Sequence, residues 1–368
     1  MKESKFIAID GNEANIARPV GSNHYALQII INLTKSYPEK KFRILLKSQP
    51  LPHMPNGDNI EYEVFGPQKL WTRFALPLRI KFQKPKISVL FTPGHYTPNI
   101  KGVKKIIVIF DLAYLKFPEH FAKKDLIQLK KWTNISLKAC DGIITISNST
   151  RNDIQKYYPD LNKPIKVIYP GYNTNIFKKI TNIKSKESVI KKYSLPKNFT
   201  VFVGTVQPRK NIQGVISAMK FNNDFNLVVV GKKGWLFDPI FENAKNFKNR
   251  ITFTDYVPDE DLPVIISLAD SLILPSFYEG FGIPVVEALA CGCPVIVSKN
   301  SSLSEAAGNA GLFVDPHNPK DIAEKISILQ NDKKIKNNLI NNAHKQILKF
   351  SWQENAKQTY EFISSIVD

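Results

Sequence analysis

Short runs of apolar, β-branched residues alternate along the 368-residue chain with amphipathic stretches of helix length. That alternation is what βαβ units around parallel sheets produce. In the first half, strands are predicted at Phe6–Asp10, Phe42–Leu46, Val89–Thr92, Lys105–Phe110, Gly142–Ser147 and Ile165–Tyr169. Helices are predicted between them at His24–Ser36, Trp71–Phe82, Ala122–Lys138 and Ser149–Tyr157. Pro170–Gly171 breaks the pattern, and the polar stretch Asn173–Glu187 reads as an interdomain linker with no core of its own. The alternation then restarts, with strands at Thr200–Gly204, Asn226–Gly231, Ile251–Thr254, Ser271–Pro275, Pro294–Ser298 and Gly311–Val314. Helices are predicted at Asn211–Lys220, Asp238–Asn246, Asp259–Ala269 and Pro284–Ala290, and Pro319–Gln330, Lys333–Leu348 and Trp352–Ile366 close the chain. The expectation is an α/β protein with two doubly wound sheets, over 1–172 and 173–350, and a final helix over 351–368. In such sheets ligands lie beyond the carboxyl ends of the strands, so the residues following Asp10, Gly204, Gly231 and Pro275 are where chemistry is expected.

Composition narrows the class. No stretch approaches the roughly 18 consecutive apolar residues of a membrane span, and the first residues lack the apolar core of a signal peptide, so a cytoplasmic protein is expected. Three cysteines, Cys140, Cys291 and Cys293, form neither a disulfide framework nor a zinc pattern. The net charge of +19 is unevenly spread: 27 Lys and Arg face 13 Asp and Glu up to Tyr172, against 24 and 19 afterwards. A field of that sign suits nucleic acid, an anionic membrane surface or a polyanionic substrate; it also fits a chain that simply places Lys wherever the surface tolerates it. No aromatic RNA-reading motif or helix-turn-helix pattern supports nucleic acid as the partner.

The segment PSFYEGFGIPVVEALACGCPVIVS, Pro275–Ser298, carries the most chemistry. A strand end leads to Glu279, to Gly280, Phe281, Gly282 and Ile283, and into a helix that Pro284 can start, with Glu287 one turn inside. The free N–H groups of such a helix start suit a phosphate, and glycine lets the backbone come close. Carboxylates on either side can accept from vicinal sugar hydroxyls, or serve only as a dipole partner and a solvated loop acid. In VGTVQPRKN, Gly204 ends a strand and Arg209 and Lys210 follow at the same face. A guanidinium fork beside a mobile ammonium is what a bound or departing diphosphate needs, although an isolated pair is also an ordinary solvated feature. The long loop after Asp10, with Gly11 and Gly21, is not G-x-G-x-x-G. Asp259-Glu260-Asp261 has the D-x-D spacing of a divalent-ion site, but behind Pro258 it reads as the capped start of a helix.

Taken together, these segments resemble glycosyltransferase family 4, retaining enzymes of the GT-B fold, and within it a mannosyltransferase-like group. Glu279–Glu287 matches the family's E-x7-E motif; SSLSEAAGNAGLFVDP and VGTVQPRKN resemble its donor-domain motifs, and VGSNHYALQ, FDLAYLKFPEHF and ISNSTRNDI its acceptor-domain landmarks. FSWQENAKQTYEF resembles the final helix that crosses back to the first domain. The resemblance implies two Rossmann-like domains with a cleft between them, and transfer of a hexose from a GDP- or UDP-sugar to a polysaccharide or lipid-linked acceptor. It implies that Glu287 holds the ribose and Glu279 the transferred sugar. Arg209 and Lys210, with backbone N–H groups of Phe281–Ile283 and the Gly21 loop, neutralise the diphosphate, and no metal is needed. The nucleotide base falls near Tyr256 and Val257. One departure stands out: where many members read His-Asp, this chain reads Phe110-Asp111, which leaves Asp111 as the nearest polar candidate, with His24 and His95 as other imidazoles in the first half. A glycosidase would have no use for Arg209 and Lys210, and a sugar-nucleotide epimerase would need acid–base groups that E-x7-E does not supply.

A second feature lies in the basic half. KLWTRFALPLRIKFQKPK, Lys69–Lys86, has six Lys or Arg, no acid, and interleaved Trp71, Phe74, Leu76, Leu78, Ile80 and Phe82. One reading is contact with an anionic membrane; the other packs the apolar groups, Phe74 and Leu78 above all, on the first sheet and leaves the cations solvated.

Overall fold

The computed structural model describes residues 6–19, 21–83, 87–232 and 242–367. The chain divides into two compact units, one formed by Met1–Gly171 with Ser351–Asp368 and one by Tyr172–Phe350.

The first unit holds a seven-stranded sheet in the order β3-β2-β1-β4-β5-β6-β7. Its strands are β1 (Ile7–Asp10), β2 (Phe42–Leu46), β3 (Ile60–Val64), β4 (Val89–Thr92), β5 (Lys104–Ile109), β6 (Gly142–Thr145) and β7 (Ile165–Val167). All pairs are parallel; Ile9 lies opposite Ile44 on one side and Phe91 on the other. Between them run α1 (Ser22–Ser36), α2 (Ala75–Phe82), α3 (Ala113–Lys116), α4 (Lys123–Ala139) and α5 (Asn148–Tyr157). A strand covered on both faces is mostly apolar, which explains IAID and VLFT, buried throughout and polar only at the carboxyl-end residues Asp10 and Thr92.

The second unit holds six parallel strands in the order β10-β9-β8-β11-β12-β13. These are β8 (Thr200–Val203), β9 (Leu227–Val230), β10 (Ile251–Asp255), β11 (Ser271–Leu274), β12 (Val295–Ser298) and β13 (Gly311–Val314). Its helices are α6 (Ile183–Tyr193), α7 (Ile212–Ala218), α8 (Leu262–Leu268), α9 (Ile283–Ala290), α10 (Leu303–Ala307), α11 (Pro319–Asn331) and α12 (Lys333–Ile347). The expected helix Asp238–Asn246 falls mostly outside the described residues. Cys291 and Cys293 are buried thiols flanking Gly292, whose φ of 73° makes the tight exit from α9.

Three expectations need correction. Asn173–Glu187 is not a bare linker: Phe177 is buried, and Asn182 caps α6 by accepting from the Ser185 N–H at 3.0 Å. The stretch belongs to the second unit, where α6 packs on α8. Edge strand β3 was not anticipated, because its outward Glu61 and Glu63 disguise it; Glu61 accepts from Arg43 at 2.9 Å and Glu63 pairs with Arg79. The helix expected over Trp71–Phe82 begins only at Ala75, which places Pro77 in its first turn, where a missing N–H costs nothing. Trp71, Leu76 and Ile80 enter the core, whereas Phe74 and Leu78, expected against the sheet, are 53% and 58% exposed.

The last helix, α13 (Trp352–Val367), closes the first unit. Trp352 meets Tyr25 of α1 edge-on at 5.5 Å, Tyr360 stacks on Tyr37 at 4.0 Å, and Asn355 Nδ2 donates to the Tyr169 carbonyl at 2.7 Å. No helix among the described residues is long and apolar enough to cross a membrane. The anchoring of α13 requires a residue without a side chain at Gly171, where a Cβ would stand 2.2 Å from the Trp352 backbone nitrogen. Gly171→Ala should therefore cost about 1–3 kcal/mol and lower the melting temperature of the first unit by about 2–10 °C. An unchanged calorimetric profile would show that the segment is not locked there.

Candidate functional site

In the second sheet β8 lies between β9 and β11, so the connections leaving β8 and β11 part to opposite sides. Such a switch point opens a crevice at the carboxyl ends of the two strands. The residues that fill it are Gly204–Asn211, after β8, and Pro275–Gly282, after β11.

The two loops are joined by charge. Arg209 Nη1 donates to Glu279 Oε2 at 3.1 Å and to the Tyr278 carbonyl, and Lys210 Nζ donates to Glu279 Oε1 at 2.8 Å. The Ser276 hydroxyl donates to the same oxygen at 2.8 Å. Glu279 is 7% exposed; burial opposes its ionisation, yet Lys210 and Arg209 outweigh that and hold the carboxyl at about 2. It is a carboxylate at any working pH, able to accept hydrogen bonds and unable to act as an acid. Its backbone is fixed as well: the Glu279 N–H donates to Ser301 Oγ at 3.1 Å, and Ser302 Oγ donates to its carbonyl at 2.8 Å.

Backbone geometry brings the cations into place. Gly204 adopts φ 147°, and a Cβ there would stand 3.2 Å from the end of the Lys210 side chain, so the ammonium lies across the end of β8. Asn211, at φ 54°, caps α7 through the Gly214 N–H at 3.1 Å and donates to the carbonyls of Pro275 and Pro316 at 3.1 and 2.7 Å. Asn211 and Ser276 are contributors that the sequence did not single out; the Asn directly after the Arg-Lys pair was the available clue.

Past Glu279 the chain turns into α9 through Gly282 at φ 101°, with Pro284 in the first turn and no side chain capping the helix. Phe281 is buried edge-on against Phe350 at 5.3 Å, which anchors the turn; Gly280 is buried beside it and Gly282 and Ile283 are half-buried. Glu287, half-buried in α9, is the opposite of Glu279: burial first, and the Asp259 charge second, push its carboxyl up to about 8. At the end of β10, Tyr256 is exposed beneath Lys232, whose Nζ lies 5.2 Å from the ring centre, and Val257 is buried.

Asp259-Glu260-Asp261 does not cap α8 as expected. Asp261 stands at the cap position but its side chain accepts from no helix N–H; it accepts instead from Lys192 Nζ at 2.6 Å and Tyr193 OH at 2.8 Å. An ammonium and a phenol offer a charged acceptor more than an already solvated helix end does.

The first unit has its own switch point at β1 and β4, and a pocket of about 610 Å³ opens there, with Asp10, Glu13, Lys47, Thr92 and His95 in its wall. Burial raises the Asp10 carboxyl to about 6 despite hydrogen bonds from the Asn12 N–H and Nδ2 at 3.1 and 2.7 Å. His95 Nε2 accepts the Phe110 N–H at 2.8 Å, which leaves the ring proton on Nδ1. The His95 ring stacks on Phe110 at 5.4 Å, and burial, opposed by Asp111, lowers its pKa. Asp111 accepts from the Ala113 N–H at 2.9 Å at the start of α3, and His24 meets Trp352 edge-on at 6.5 Å. Gly21 precedes α1 at φ 56° with nothing within 4 Å of where a Cβ would be.

Comparison with known proteins agrees with this architecture. Residues 184–346 match the family described as glycosyl transferases group 1, and residues 46–176 match glycosyltransferase family 4. The O-antigen chain mannosyltransferase B of Escherichia coli is 30% identical over 279 residues, 73% of this chain and 71% of that protein. The O-antigen chain mannosyltransferase RfbU of Salmonella typhimurium is 30% identical over 67% of this chain and 65% of its own length. Among solved structures, sucrose-phosphate synthase from Thermosynechococcus elongatus superposes with a TM-score of 0.76 at 20% identity, covering 98% of this chain and 99% of that one. Anabaena HepE, solved with UDP and glucose, gives a TM-score of 0.73 at 18% identity over 99% of this chain and all of that one. By family matches at both ends and by fold, the chain belongs to the family 4 glycosyltransferases of the GT-B type.

Proposed function

We propose that this glycosyltransferase moves a hexose, mannose by analogy with its relatives, from a GDP- or UDP-sugar to a polysaccharide or lipid-linked saccharide, with retention of anomeric configuration. The observation that carries this reading is the ion cluster of Glu279, Arg209 and Lys210 at the switch point of the second unit, beside a helix start that no side chain caps.

In this reading the diphosphate lies against the start of α9, at the backbone of Phe281–Ile283, and against Arg209 and Lys210. Lys210 has three N–H bonds, one of which Glu279 accepts. As the bond from the sugar to the diphosphate breaks, negative charge grows on the leaving oxygen and those cations bind it more tightly. The expected gain is about 2–4 kcal/mol per preorganised donor. Glu279, ionised throughout, accepts from hydroxyls of the transferred sugar and favours positive charge developing at its anomeric carbon. The acceptor oxygen attacks on the face the diphosphate leaves, with no covalent sugar–enzyme intermediate. Glu287 accepts from the ribose hydroxyls, Tyr256 and Val257 flank the base, and the reaction runs without a metal. The pocket of the first unit, with Asp10, Glu13 and His95, receives the acceptor, near Asp111. The workplace in this reading is the cytoplasm, at the inner face of the membrane.

A thermal-shift series with GDP, UDP and ADP identifies the base, because a ligand that binds only the folded state raises the melting temperature. Glu287 gives that binding a pH signature. Its carboxyl, at about 8 in the free protein, can accept from both ribose hydroxyls, one on each oxygen, only as the carboxylate, so binding in this way releases a proton and strengthens as pH rises. Affinity for the preferred nucleoside diphosphate should increase about tenfold from pH 7 to pH 9 and be weak and pH-independent in Glu287→Gln. A flat or falling affinity in the unaltered protein would remove Glu287 from the ribose site.

Lys210→Met and Glu279→Gln should lower kcat at least 100-fold while changing nucleotide affinity much less, since their contribution grows as charge separates. Activity abolished by EDTA and restored by Mg²⁺ would contradict the assignment of the leaving-group charge to Arg209 and Lys210. NMR of the freshly formed product should show the anomeric configuration of the donor, and an inverted linkage would end the retaining assignment.

A further inference from the structure

A second cavity lies in the second unit, apart from the ion cluster. It is a groove of about 970 Å³ between the outer face of α11 and the loop Phe221–Asp224. The loop leads into β9 at its amino end, whereas Arg209, Lys210 and Glu279 follow the carboxyl ends of β8 and β11. In a parallel sheet those are opposite ends.

The loop is braced from behind. Arg250 donates to the carbonyls of Met219, Asn222 and Asn223 at 3.2, 3.1 and 3.0 Å. Gln330 of α11 accepts from Asn222 Nδ2 at 3.2 Å and donates to the Asp224 carbonyl at 3.3 Å, which ties the two walls together. A groove built in this way loses little freedom when it takes a ligand.

The lining selects the ligand. Phe221 is 52% exposed at the groove, with Lys320 Nζ 5.5 Å from its ring centre. A lone exposed aromatic needs no explanation, but this one has planar polar neighbours: Asn223, Asp224, Glu324 and Asn331 are exposed along the same lining. Amides and carboxylates offer hydrogen-bonding atoms in pairs, which matches adjacent hydroxyls, and the electron-rich face of an aromatic ring takes the C–H face of a sugar. Three acids, Asp224, Glu324 and Asp332, stand against Lys320 and Lys333, so no strong field draws a polyanion. The apolar share, Phe221 with Ala323 and Ile328, is too small for a helix or a lipid chain.

We propose that this groove binds a neutral saccharide chain, at a site distinct from the one where the sugar is transferred. The binding rests on the lining alone; that the chain held there is the glycan being extended rests on the function proposed above. A polymer gripped by the groove keeps its free end at high local concentration around the same molecule, which favours long acceptors over short ones.

Affinity electrophoresis of the full chain in gels containing neutral α-mannan, with no donor sugar, tests the binding by itself. Migration should be retarded. Phe221→Ala and Asn223→Ala, both at exposed positions, should each weaken the retardation about fivefold with no change in melting temperature. Absence of retardation would overturn the proposal. Retardation lost in Glu13→Gln and kept in both groove variants would overturn it too, by placing the contact in the first unit's pocket. Stronger, salt-sensitive retardation by the polyanion polygalacturonate would replace saccharide recognition with simple charge. In transfer assays, Phe221→Ala should raise the KM of a long oligosaccharide acceptor about tenfold more than that of a disaccharide; an equal change for both would take the growing chain off the groove. A chain that transfers no sugar but is retarded by mannan through Phe221 would end the proposed function and leave the groove standing.

Discussion

A carboxylate withdrawn from water stays charged only where cations and hydroxyls replace the lost hydration, and at Glu279 the protein supplies Arg209, Lys210 and Ser276 for the purpose. The consequence is mechanical as well as electrostatic. Arg209 and Lys210 belong to the loop after β8 and Glu279 to the loop after β11, so one ion cluster fixes the two loops that frame the switch point. Removing Glu279 would take the shared carboxylate from two buried cations, and breaking a buried pair in that way typically costs ~3–5 kcal/mol. The geometry of everything beyond it, the Gly282 turn and the start of α9, follows from where Glu279 is pinned by Ser301 and Ser302.

The same sheet logic serves both units with different chemistry. In each, a central strand with neighbours reached in opposite directions opens a crevice at its carboxyl end. In the second unit one buried carboxyl, held at about 2, is matched by two cations. In the first, burial raises Asp10 to about 6 and lowers His95, while Lys47, Arg73 and Lys131 bring cations to the same wall without an ion pair to either group. Burial is the largest cause of the shift at Asp10 and His95, whereas at Glu279 the paired cations outweigh it.

The sheets were legible because a strand buried on both faces is mostly apolar, and runs such as IAID, VLFT and SLIL, each with a single polar residue at one end, leave little else to read. Edge strand β3 was not, since one exposed face let Glu61 and Glu63 into it. The segment after Gly171 was read as linker because α6 is polar on three sides and buries only Val189 along its length. At the site, the Arg-Lys pair and both glutamates could be placed at strand and helix ends from spacing alone. Their mutual contact could not, because separations of 70 and 69 positions carry no sign of which loop each side chain will reach. Opposite protonation of Glu279 and Glu287 was equally invisible: the two differ by their neighbours in space, cations for one and Asp259 for the other. The D-x-D stretch misled because helix starts favour acids, while the cation that takes Asp261 comes from α6, 69 residues earlier.

Phe110, just past β5, sits among aromatic neighbours in the first unit. Its ring is held between Tyr25, edge-on at 5.2 Å, and His95, stacked at 5.4 Å. Its N–H and carbonyl are both engaged, by His95 Nε2 at 2.8 Å and the Thr150 hydroxyl at 2.9 Å. A histidine in that position would have to place a second imidazole against the first in a buried setting, where either ring gaining a proton would repel the other. The chain has one imidazole there, on the neighbouring loop, locked as a single tautomer with Nδ1 as donor. The polar groups just past β5 are thus His95 and Asp111, whose charge acts on the imidazole that Phe110 packs against.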